Sequence, residues 1–208
     1  METFLSVDYE KVITNEIVEK KSRFLSFAKY TETSEDAEKF CREIRQKYSD
    51  SKHVVFAYRL LTTSRFSDDG EPSGTAGKPI LQVLEKMNVY NIVVVVVRYF
   101  GGIKLGAGPL LRVYSNSASS VLGELYVYEN CYKSQLELSF SDFEKLLKMT
   151  LKQKVKTENI TFSDKVKLDI IYSKDVVLNL GEELSKTEIY YSFGDKNEST
   201  KIGDNKTR

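Results

Sequence analysis

Positions 92 to 97 read Ile-Val-Val-Val-Val-Val, an unbroken β-branched run with no polar position on either side of the pleat. A strand that is apolar on both faces must be covered on both faces, so this segment is predicted to sit in the middle of a sheet with layers above and below. Earlier, "ITNEIVEK" (13–20) alternates apolar and polar positions and "SRFLSFAKY" (22–30) is rich in aromatics. They predict two strands joined near Lys20 to Ser22. The period then changes. In "TSEDAEKFCREIRQKYS" (33–49), Ser34 is the expected N-cap and acids occupy the first turn. Ala37, Phe40, Cys41, Ile44 and Tyr48 recur at helical spacing. "HVVFAYRLL" (53–61) predicts a buried strand. Pro79 is suited to open a short helix, and "LLRVYSNSASSVLGEL" (110–125) predicts a helix whose small residues allow close packing.

The texture shifts near residue 130. Gly70, Gly74, Gly77, Gly101, Gly102, Gly106, Gly108 and Gly123 precede this point, and only Gly181, Gly194 and Gly203 follow it. The second part reads as strand (132–140), helix (141–153), strand (156–162), strand (165–172), helix (173–186) and strand (188–193). That βαββαβ order is the split unit of ferredoxin-like domains. The chain is therefore expected to be α+β with two domains, 1–130 and 131–195, followed by an apolar-poor flexible tail over 196–208.

Composition narrows the function classes. Across 208 residues, 31 Lys and Arg stand against 30 Asp and Glu, a net charge of +1, so no global field draws the chain to nucleic acid or anionic lipid. Any such partner must be met by a local patch. Cys41 and Cys131 form no CxxC pair, and "METFLSVDYEK" carries no basic-then-apolar leader, which together suggest a reduced, cytoplasmic chain. The longest apolar runs fall far short of the roughly 20 residues that span a bilayer, so no membrane partner is expected.

Two glycine-rich stretches hold the candidate chemistry: "RFSDDGEPSGTAGKP" (65–79) and "GGIKLGAGP" (101–109). The first is no Walker loop, because Pro72 and Pro79 stand where a glycine and a hydroxyl are needed. The second is no dinucleotide fingerprint, because Leu111 occupies the third glycine position and Pro109 intrudes. No cofactor motif remains, and none is expected. His53 is the sole histidine, Ser73 lies in no nucleophile elbow, and one His with two scattered Cys cannot build a zinc site. Asp68, Asp69 and Glu71 could hold magnesium through carboxylate oxygens. Asp68 and Asp69, the weak metal candidates, are more simply read as making turn hydrogen bonds to nearby amides.

What survives is an arrangement. Each stretch follows a strand and runs into a helix, so backbone amides at two positive helix N-termini could face one pocket. Arg59, Arg65, Lys78, Lys86, Arg98, Lys104 and Arg112 make the region locally basic, and Tyr58, Phe66, Tyr99 and Phe100 add aromatics that either stack nucleobases or belong to the core. The candidate phosphate or nucleic-acid contacts are Arg65, Ser73, Gly74, Thr75, Lys78, Arg98, Gly101, Gly102, Lys104 and Gly106. A second basic run, Lys145, Lys148, Lys152, Lys154 and Lys156, reads as a wet helix face.

"RFSDDGEPSGTAGKPIL" followed by "VVVVVRYFGGIKLGAGPLLRVY" closely resembles the signature of the YigZ and IMPACT family, with "KKSRFLS" and "HVVFAY" as further markers. The resemblance covers about residues 1 to 125; Pro109 departs from the glycine usual in the family. It implies an N-terminal α/β domain similar to ribosomal protein S5 domain 2. The remainder resembles the small ferredoxin-like domain of bacterial and archaeal members, itself similar to a late domain of elongation factor G. Eukaryotic relatives regulate translation through an activator of an initiation-factor kinase, using an additional domain, so that partner does not carry over. The expectation is a non-enzymatic module that binds RNA or the ribosome, or a protein of the translation machinery. The alternative is an enzyme acting on a phosphorylated or nucleotide small molecule, with His53, Asp68, Asp69 and Glu71 as its acid, base or metal-binding groups.

Overall fold

The computed structural model describes residues 2–176, 178 and 186–194. The chain divides into two compact units, one built from Phe4–Tyr126 and one from Val127–Asp195 with the first residues of the chain.

The first unit is a five-stranded antiparallel sheet between helical layers. After a short strand β1 (Thr3–Ser6), its strands are β2 (Val12–Glu19), β3 (Ser22–Tyr30), β4 (His53–Arg59), β5 (Ser64–Ser67) and β6 (Ile92–Tyr99). The order β2-β3-β6-β4-β5 places the valine-rich strand in the centre, as its two-sided apolarity demands. Alternate residues feed two cores. Val93, Val95 and Val97 pack with Phe40, Cys41 and Ile44 of α1 (Ser34–Lys47). Ile92, Val94 and Val96 face the opposite layer, with Ile80 and Leu84 of α2 (Gly77–Lys86) and Leu110, Val113 and Tyr114 of α3 (Ala107–Ser120). β2 and β3 join through Lys20 and Lys21 alone, both at positive φ (45° and 66°), the backbone of a two-residue hairpin turn.

Several local expectations are corrected. Thr33, not Ser34, caps α1; its Oγ1 accepts the Asp36 amide at 3.1 Å. α2 opens at Gly77 rather than Pro79, which falls within the first turn, where a missing N–H costs nothing. α3 opens at Ala107, so Pro109 likewise sits in its first turn and leaves the preceding loop intact. β5 was unforeseen: four residues at a sheet edge, mostly exposed, leave no apolar signature.

In the second unit, whose five-stranded sheet also takes in β1 beside β7, β7 (Tyr126–Leu138), α4 (Phe140–Thr150), β8 (Val155–Phe162), β9 (Val166–Ser173) and β10 (Thr187–Tyr191) give the strand order β8-β9-β7-β10, these pairs all antiparallel. This is the order of a ferredoxin-like split unit. α4 is capped by Ser139, whose Oγ accepts the Asp142 amide, and buries Phe143 and Leu146 against Leu168 and Ile170. β7 runs from Tyr126 to Leu138 rather than over the expected 132–140. Most of the helix expected over 173–186, and the tail over 196–208, lie outside the described residues.

Candidate functional site

β4 separates β5 from β6 and is antiparallel to both, so β5 and β6 run in the same direction. The two glycine loops therefore leave the sheet at one end and enter α2 and α3 side by side. A buried ionic cluster ties them together. Arg98 is in phase with Ile92, Val94 and Val96 and points into the α2/α3 layer, where its Nη1 donates to both carboxylate oxygens of Glu71, at 2.6 and 2.9 Å. The Tyr114 hydroxyl donates to the same carboxylate at 2.9 Å, and His53 Nε2 lies 3.9 Å away. The Glu71 and Arg98 side chains are 3% and 6% exposed, so the charges are neutralised inside the protein rather than offered to solvent. Phe24 stacks under the guanidinium at 5.3 Å and meets the Tyr114 ring edge-on. Burial, followed by the Glu71 charge, raises the Tyr114 phenol far above its ordinary range, which keeps it a neutral donor.

The first loop is folded around Asp68. Its Oδ2 accepts the Gly74 amide at 2.7 Å, and its Oδ1 accepts those of Ala76 and Gly77 at 3.1 and 2.8 Å. The N-terminal amides of α2, which were expected to face a phosphate, are thus taken by a carboxylate of the same loop. Asp69 is equally occupied: Oδ2 accepts the Val54 amide at 2.6 Å and pairs with Arg45, while its carbonyl accepts from His53 Nδ1 at 2.7 Å. The Asp68 contacts are the expected turn hydrogen bonds to nearby amides, whereas the Asp69 carboxylate reaches β4 and α1 instead, and the Asp69 carbonyl fixes the histidine tautomer, since a carbonyl can only accept. Among the described residues no group of three or more His, Cys, Asp or Glu is placed to hold a metal.

The other candidate contacts separate into distinct places. Thr75 is buried and its Oγ1 donates to the Pro72 carbonyl, so it closes the loop on itself. A Cβ on Gly77 would lie 2.6 Å from the Ser67 carbonyl oxygen, and one on Gly101 would collide with the backbone of Lys21 and Ser22. Both glycines serve close packing rather than ligand approach. Gly74, Gly102 and Gly106 face open space. Ser73, Lys78 and Lys104 are exposed at the end of the sheet where the loops emerge. Arg65 is not with them: it pairs with Tyr58 across β4 and β5, on the α1 side, and its guanidinium meets Glu38. Arg98 is removed from the surface set by its burial. Beside Lys104, Phe100 and Ile103 are 44% and 46% exposed, and Lys52 Nζ lies 5.4 Å from the Phe100 ring centroid. Among the described residues no side chain caps α3 at Gly106.

Residue typing alone could not find Tyr114 or Phe24 as partners of the cluster. The available signal was phase: a charge at the end of a strand buried on both faces requires an internal counterion.

The fold and cluster define a class: an α+β protein whose first domain carries two glycine loops over a buried Arg–Glu pair. Residues 20–122 match the family model described as the Impact N-terminal domain. An IMPACT family member of Haemophilus influenzae is 33% identical over 176 residues, covering 80% of this chain and 84% of that protein. YvyE of Bacillus subtilis is 42% identical over 118 residues (55% of this chain, 54% of that protein), and YigZ of Escherichia coli 38% over 130 (60% and 63%). The match thus spans less than two thirds of the length of those two relatives. A crystal structure described as that of a hypothetical protein superposes with a TM-score of 0.59 at 30% identity, covering 83% of this chain and 86% of that one. The chain belongs to the IMPACT family.

Proposed function

We propose that this IMPACT-family protein is a translation-associated binding module that contacts RNA, free or in the ribosome, through the surface where its glycine loops emerge. The observation that carries the reading is the Phe100–Lys104 segment. An exposed aromatic ring is flanked by Lys52 and followed by an exposed Lys104, and the segment leads into a helix N-terminus that no side chain caps. An aromatic platform beside cations is how single strands are held without base readout. A positive helix end favours the phosphates. The buried Arg98–Glu71–Tyr114 cluster is the support that holds this segment to the first loop, so it acts on binding through position.

The test is fluorescence anisotropy with a labelled single-stranded RNA and co-sedimentation with ribosomes, both across a salt series. Affinity should fall steeply as salt rises, and Lys104→Ala and Lys78→Ala should each lower the salt slope by about 1. Phe100→Ala should weaken RNA binding by about 1–3 kcal/mol with the slope unchanged. Absence of association at low salt, or affinity indifferent to salt, would overturn the proposal.

A further inference from the structure

On the other face of the sheet, a cleft of about 240 Å³ opens between α1 and the β4–β5 edge. Glu38, Cys41, Arg42 and Arg45 line it from α1, and three- and four-residue spacing puts all of them on one side of the helix. Val54 and Phe56 of β4 complete an apolar floor with Cys41, while Arg65 reaches in from β5. Three arginines meet two acids in the lining, and one acid is already committed, since Asp69 Oδ2 is held by the Val54 amide and Arg45. The second, Glu38, pairs with Arg65 through side chains that are 36% and 60% exposed, an ion pair of the kind that exchanges at little cost. Arg42 is exposed and makes no ion pair among the described residues. The cleft therefore holds uncompensated positive charge, in guanidinium form, around a small apolar floor.

We infer that this cleft is a binding site for a small phosphomonoester, with the phosphate on Arg42 and Arg65 and a compact apolar body against Cys41, Val54 and Phe56. Guanidinium forks match phosphate oxygens bidentately, and a phosphomonoester brings nearly two negative charges where a carboxylate brings one. The volume admits a body the size of one ring. The site lies on the α1 face and is independent of the RNA surface proposed above, which belongs to the α2/α3 side.

The probes are phenyl phosphate, inorganic phosphate and phenol, titrated at fixed ionic strength into the ¹⁵N-labelled full chain and followed by NMR. Phenyl phosphate should shift amides of residues 38–45 and 54–56 and bind about tenfold tighter than inorganic phosphate, because only it covers the floor. Phenol should bind far more weakly than either. Arg42→Ala and Arg65→Ala should each weaken phenyl phosphate about tenfold, Arg42→Lys should recover part of the loss, and Lys104→Ala should change nothing. Both arginines are exposed, so the variants keep the fold, which their unchanged spectra would verify. Equal affinity in wild type and the Arg42→Ala/Arg65→Ala double variant would overturn the site, as would phenol binding as well as phenyl phosphate. No saturable shift by about 10 mM phenyl phosphate would also overturn it.

Discussion

Removing one member of the Glu71–Arg98 pair should be among the most damaging single changes available to the first domain. The carboxylate accepts two contacts from Arg98 Nη1 and one from Tyr114, and with side chains 3% and 6% exposed neither charge can turn to water. Glu71→Ala leaves a buried guanidinium without its carboxylate, beside the rings of Phe24 at 5.3 Å and Phe100 at 5.8 Å. Arg98→Ala leaves a buried carboxylate with one phenol. Orphaning a buried charge costs about 3–5 kcal/mol, against about 5–15 kcal/mol for the whole stability of a domain. The double variant Glu71→Met/Arg98→Met removes both charges and most of the desolvation cost, so it should recover a large part of what either single variant loses. Hydrogen exchange by mass spectrometry, following peptides of β6 in a urea series, isolates this domain from the other. Refutation would be a loss below about 1 kcal/mol in both single variants, or a double variant whose loss equals the sum of the two. Either result would mean that the pair is solvated or that its members act separately.

Three other outcomes follow from the geometry. Gly101→Ala should cost about 3 kcal/mol or more in urea denaturation, because the new methyl collides with the backbone of the β2–β3 turn, whereas Gly108→Ala, which meets nothing, should cost little. Asp68→Ala should destabilise by about 1–3 kcal/mol and speed amide exchange at Gly74, Ala76 and Gly77, with Asp68→Asn intermediate. Burial, and secondarily the Glu38 charge, push the Cys41 thiol up from 9.0 to about 12, so its native pKa lies above its unfolded one. Its contribution to stability is complete below pH 9 and is lost as pH rises toward 12, and native Cys41 should react slowly with a thiol reagent at pH 8 compared with the urea-unfolded chain.

The parts of this fold that were legible in the sequence are those where hydrophobic phase is unambiguous. Ile92–Val97 announces a central strand because no arrangement with one wet face could bury it, and α1 shows its apolar stripe, although its cap falls on Thr33 rather than the expected Ser34. β5 could not be read, since four mostly exposed edge residues owe their strand to pairing with Phe56–Arg59. The site was legible as a region and not as a set of roles. Residue type marks Arg98 and Arg65 alike as bases, yet register turns Arg98 inward to Glu71 and Arg65 toward α1. The count of acids in "SDDGEP" carried no sign that each of the three has a different job: Asp68 on amides, Asp69 on β4 and α1, and Glu71 on Arg98.

Asp68 makes the first glycine loop its own ligand. A diffusible anion seeking the head of α2 competes with a carboxylate carried on the same few residues and already aligned with three amides. A flexible tether supplies an effective concentration in the millimolar range, and a rigid turn supplies more. Free phosphate at ordinary concentrations is therefore outcompeted at this helix end. Two loops that look like twins in composition therefore differ in kind: the first closes its helix end with its own carboxylate, and the second enters α3 at Gly106 without a side-chain cap among the described residues.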